Sequence, residues 1–150
     1  MGEDNRQRGI RILLVTDKFA PEVGGACAVA EALAENLPAH ITVAAPKSLE
    51  RPLSVSDWPE YDRRLAFPVH RVKAFTTKLP QLAPGKLRGA LEFAYNKLWT
   101  QPRASASLRR LLNQSPADVV CINTLVCYWV PAMLKRHCPK LKVVFYLHGE

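Results

Sequence analysis

Apolar and polar positions alternate along this chain in two rhythms. Residues 10–16, "IRILLVT", form a short, nearly continuous apolar run of the kind shown by a strand buried on both faces. Ala26, Val29, Ala30, Leu33 and Leu37 then recur at helical spacing, with Glu31 and Glu35 one turn apart on another face, and Pro38 is the predicted stop. "HITVAAP" (40–46) predicts a second buried strand and "FPVHRVKAF" (67–75) a third near a sheet edge. Between them, residues 47–66 carry Pro52, Asp57 and Pro59 and read as a long connection.

From Lys86 to Trp99, an apolar stripe of Leu87, Leu91, Ala94 and Leu98 runs beside Lys86, Arg88 and Lys97, predicting a basic amphipathic helix. Such a helix packs on a sheet or lies on a membrane surface, and packing is the expectation. A short helix over 103–114, a strand at "ADVVCI" (117–122), an apolar helix over 125–138 and a last strand in "LKVVFYLHGE" (141–150) complete the pattern. Pro131 marks the first turn of that last helix or a kink in it. Residues 1–9 read as a disordered tail, and residues 10–150 as one domain.

Strands alternating with helices predict an α/β fold with a doubly wound, mainly parallel, Rossmann-like sheet, because parallel neighbours need crossover connections. Ligands in such sheets bind beyond the carboxyl ends of the strands, where the strand order reverses. The residues to watch are therefore Asp17, Lys18, Gly24 and Gly25 after the first strand, Pro46 and Lys47 after the second, Asn123 and Thr124 after the fourth, and His148, Gly149 and Glu150 after the fifth.

Composition narrows the class. The chain has 150 residues, 48% of them hydrophobic, enough for one domain with its own core. The polar start lacks the apolar core of a secretory signal, so a cytoplasmic location is the expectation. No two of Cys27, Cys121, Cys127 and Cys138 stand at a metal-binding or redox spacing, and they read as buried thiols. The net charge of +8 is concentrated: residues 60–110 hold 11 Lys and Arg against 3 Asp and Glu. That segment suits anionic lipid headgroups or a phosphorylated ligand, or else forms a solvated face. A nucleic-acid partner is not expected, since no recognised binding motif occurs and the aromatics are not interleaved with the basic residues.

The adjacent glycines before the first helix point to an anion held on backbone N–H groups. They do not make a dinucleotide fingerprint, because seven residues (17–23) separate them from the first strand and the second strand ends in "VAAP" without a ribose-gripping acid. A phosphate-binding G-x-x-x-x-G-K-[ST] loop is also absent.

"ILLVTDKFAPEVGGACAVAEALAENL", "ITVAAP", "ADVVCINT" and "VVFYLHGE" together resemble the N-terminal, acceptor-side domain of family 4 glycosyltransferases with the GT-B fold. The resemblance spans Ile10 to Glu150, and residues 47–116 match in outline only. It implies a retaining sugar transfer from a nucleotide-diphosphate sugar, with Gly24 and Gly25 near the donor diphosphate and His148 near the transferred sugar. Asp17, Lys18, Asn123 and Thr124 stand where acceptor contacts are expected. The acceptor is unknown, and a lipid-linked or phosphorylated one fits a basic segment that touches an anionic membrane at its inner face. The sugar nucleotide is a substrate; no cofactor and no metal are expected. The donor domain of that family has no counterpart in this sequence, so a fragment that is inactive alone is the expectation. A split-enzyme subunit and a non-catalytic binding module are the alternatives.

Overall fold

A computed structural model of the chain describes residues 9–22, 24–37, 39–47, 57–78 and 85–146. β1 (Arg11–Val15), β2 (His40–Pro46), β3 (Val69–Val72), β4 (Val119–Ile122) and β5 (Lys142–Phe145) form one sheet in the order β3-β2-β1-β4-β5. Every neighbouring pair is parallel, and Val15 of the central strand lies between Ala44 and Ile122. This is the doubly wound, Rossmann-like architecture that the apolar runs predict.

The period of two along β1 divides the core. Leu13 and Val15 face one hydrophobic cluster, and Leu14 faces the other, with Ile12 packed against it. The first cluster is closed by α4 (Gln101–Gln114) through Ala104, Leu108 and Leu111, and by α5 (Val130–His137) through Val130 and Leu134. The second is closed by α1 (Gly25–Asn36) through Ala30 and Ala34, with Tyr61 of α2 (Asp57–Arg64) against it. The chain winds outward from β1 to β3 with helices on one face, then returns to β4 and winds outward again with helices on the other. That reversal makes a switch point between β1 and β4.

Three expectations change. Within the segment read as a connection, residues 57–64 form α2. Pro59 sits in its first turn, where a missing N–H costs little, and the Glu60–Arg64 ion pair braces the helix one turn along. Second, the basic amphipathic helix and the short helix after it are one rod: α3 (Gly85–Tyr95) passes through a π-helical turn (Asn96–Thr100) directly into α4. Third, the stripe of Leu87, Leu91 and Leu98 does not pack on the sheet; these side chains are 55%, 48% and 76% exposed. Pro131 falls in the first turn of α5. Residues 1–8 of the tail predicted over 1–9, the stop at Pro38 and the end of the last strand at 147–150 lie outside the described residues.

Arg71 of β3 ties the carboxyl edge together. Its guanidinium pairs with Asp62 of α2 at 2.6 Å and 3.0 Å, and donates to the carbonyls of Ala20 and Pro46. It also lies 5.7 Å from the ring centroid of Phe19. With only 7% of its side chain exposed, the charge has exchanged water for these partners. Arg71→Met should therefore cost about 2–4 kcal/mol in urea denaturation, because the largely buried Asp62 loses its partner. Adding Asp62→Leu should recover much of that loss; a double variant as unstable as the single one contradicts the account.

Candidate functional site

The carboxyl edge of β1 and β4 supplies the site. The β1–β4 ladder continues one step, with the Asn123 N–H donating to the Val15 carbonyl at 3.2 Å. Next to it the chain leaves β1 in a tight local turn: the Thr16 hydroxyl donates to the Lys18 carbonyl at 2.7 Å and faces the Lys18 N–H at 3.4 Å. Phe19 then drops into the core, edge-on to Phe67 at 6.2 Å between centroids, and Arg71 holds the Ala20 carbonyl. This anchoring turns residues 16–22 into a fixed lead-in to Gly24 and Gly25.

Gly24 has φ 162° and ψ 164°, an extended conformation that any residue adopts, and neither glycine lies in the left-handed region that favours glycine. A Cβ built on either one meets nothing within 4 Å. The fold's own backbone therefore gives no reason for glycine here, neither a left-handed turn nor a close packing contact. The helix entrance also lacks a side-chain cap and an acidic residue in its first turn, so among the described residues no cap satisfies its leading N–H groups. An open groove of about 490 Å³ runs from Ala20 past both glycines to Tyr61, with Glu22 and Glu31 in its wall. A larger concavity of about 850 Å³ lies at the opposite, amino-terminal edge, beside Arg11, His40 and Pro116. Doubly wound sheets bind ligands at the carboxyl edge, so the smaller groove is the candidate.

The charges around the entrance are mixed. Burial pushes the Cys27 thiol up to about 11, with Glu22 and Asp17 adding to the rise and Lys18 opposing it. Burial also raises the Cys127 thiol, again with a push from Asp17. Asp17, Lys18 and Glu22 therefore act on one neighbourhood, reached from both β1 and β4. An anion at Gly25 would gain from the helix N–H groups and Lys18, and would work against two carboxylates.

Asn123 is 3% exposed, and neither its amide N–H₂ nor its amide oxygen has a hydrogen-bond partner among the described residues. Thr124 is different: its hydroxyl oxygen accepts from the Val126 N–H at 3.2 Å and so supports the short turn Leu125–Cys127. The structure thus separates two neighbours that the sequence left together, one capping and one unpaired. The Trp129 indole N–H, farther along the same connection, is also buried without a partner among the described residues. Lys47 is exposed beyond β2. His148, Gly149 and Glu150 lie outside the described residues. Sequence reasoning missed Arg71 and Asp62 as the pair that positions the glycine lead-in; nine residues apart on different elements, they form no motif.

No family model and no curated protein sequence matches the chain. Among solved structures, 98% of the chain superposes on the N-terminal domain of trehalose-6-phosphate phosphatase from Candida albicans, with TM-score 0.56 and 18% identity. At that identity the likeness shows a shared fold. The chain spans 35% of the length of that structure's chain. No helix among the described residues is long and apolar enough to cross a membrane.

Two outcomes check this site. Asn123→Leu, which replaces an unpaired amide by an apolar group of similar shape, should leave the urea midpoint unchanged or raise stability by about 1 kcal/mol. A loss of that size instead would reveal a partner for the amide in the folded chain. For Cys27, a raised thiol pKa means that folding favours the neutral form. Its contribution is complete below the ordinary value of 9.0 and is lost as pH rises through about 11. Urea midpoints should fall across that window, and Cys27→Ala should flatten the fall.

Proposed function

We propose that this chain is the acceptor-side half of a retaining glycosyltransferase that moves a sugar from a nucleotide-diphosphate sugar. The observation that carries the reading is the helix entrance at Gly24 and Gly25: open space above both glycines, no side-chain cap, and no backbone strain that would otherwise demand glycine. A diphosphate needs close backbone approach and gains from unpaired N–H groups at a helix start. Lys18 adds a positive charge, while Asp17 and Glu22 oppose binding and keep this half-site weak by itself.

Asn123 fits the acceptor role assigned by the resemblance. Its amide offers donors and an acceptor together, which suits a sugar hydroxyl better than a phosphate. The resemblance also gives Asp17, on the connection after β1, an acceptor contact, and gives His148 a role near the transferred sugar. Thr124 contributes through the turn that it caps. In this reading a second domain, carrying the nucleotide, completes the cleft.

Amide-resolved NMR titration with UDP, GDP, ADP and inorganic pyrophosphate tests the proposal. Shifts should centre on Gly25, Ala26 and Cys27 and saturate near a millimolar Kd, about −4 kcal/mol. Gly24→Val should diminish them without loss of stability, since its side chain enters open space. Shifts confined to the basic residues of 85–110 would sink the diphosphate reading, and sugar transfer catalysed by this chain alone would sink the half-site reading.

A further inference from the structure

The rod 85–114 is about 45 Å long, and its two halves face opposite ways. α4 turns Ala104, Leu108, Leu111 and Leu112 into the core. α3 does the reverse: the side toward the protein is polar, and the side toward solvent is apolar. On the inward side, Arg88 donates to Glu92 at 2.8 Å, and Asn96 clasps Thr77 through both its N–H and its carbonyl. Thr100 meets the Thr77 hydroxyl at 3.1 Å. On the outward side stand Leu87, Leu91, Ala94 and Leu98, all exposed and one helical turn apart.

The π turn makes this inversion possible. One extra residue in a turn rotates everything after it by about 100°. On an unbroken α-helix the leucines of α3 would stand roughly a quarter-turn from those of α4, and both could reach the sheet. With Asn96–Thr100 in π geometry the two stripes lie on nearly opposite sides.

We infer that the exposed face of α3 docks on an anionic membrane surface. Charge complementarity selects that occupant: residues 85–110 hold Lys86, Arg88, Lys97, Arg103, Arg109 and Arg110 against the single acid Glu92. A second copy of the chain would bring these like charges together, and a nucleic acid would leave the leucine stripe without a partner. The aromatics suit a lipid boundary. Trp99 and Phe93 are exposed, with Arg103 3.8 Å and Lys97 5.5 Å from their ring centroids, so each apolar ring carries a cation at headgroup level. The helix lies in the interface plane, leucines inward and cations among the phosphates. This inference stands independently of the proposed sugar transfer.

Co-sedimentation of the full chain with vesicles tests it. Phosphatidylcholine vesicles carrying phosphatidylglycerol should bind the chain roughly tenfold or more tightly than phosphatidylcholine alone, and added salt should weaken binding. Leu91→Glu and Leu98→Glu should each cost about tenfold or more in partition while leaving the circular dichroism and urea midpoint unchanged, because both side chains meet solvent. Lys97→Glu with Arg103→Glu should weaken binding to the anionic vesicles selectively. Equal binding to both vesicle types, or to neither, overturns the proposal. So does a dimer that Leu98→Glu dissociates, or binding to duplex DNA that Leu98→Glu leaves intact while vesicles are ignored.

Discussion

A buried guanidinium holds the carboxyl edge of the sheet in place. Arg71 reaches from the edge strand to the end of β2, to α2 and to the lead-in from β1, and its partners are two carbonyls and a carboxylate. The net stability of such an arrangement is modest, since desolvation of the charge offsets much of the attraction. Its contribution is geometric: a planar donor with fixed directions permits one arrangement of the four segments. The glycine entrance inherits its position from that arrangement, because the Ala20 carbonyl is fixed shortly before the chain enters α1.

The sheet order supplies the second constraint. With β1 between β2 and β4, the connections after β1 and β4 leave in opposite directions and open a crevice. After β4 a buried amide stays unpaired at Asn123 among the described residues, and after β1 α1 begins at Gly24 without a side-chain cap, both locally unfavourable. Elsewhere the core is conventional, with two apolar clusters on the two faces of the sheet.

The third constraint is rotational. The π turn lets one rod serve the core at one end and the outside at the other, as two consecutive α-helices of the same sequence would not. Asn96 and Thr100 of the π turn are tied to Thr77 on the inward side, while the leucines of α3 face solvent.

By itself, the sequence determined the strands, the parallel class and the edge at which to look. Unbroken apolar runs such as 40–46 mark strands buried on both faces, and their alternation with helical stripes leaves few topologies. Gly24, Gly25 and Asn123 were legible as candidates because strand ends are local features. What only tertiary structure decided was which polar groups find partners: Thr124 does, Asn123 does not, and Arg71 meets Asp62. It also decided which way the leucines of α3 face, because periodicity gives a stripe but not its direction, and the π turn has no sequence signature. Local patterns record a residue's neighbours along the chain; pairing, burial and rotational phase depend on neighbours in space.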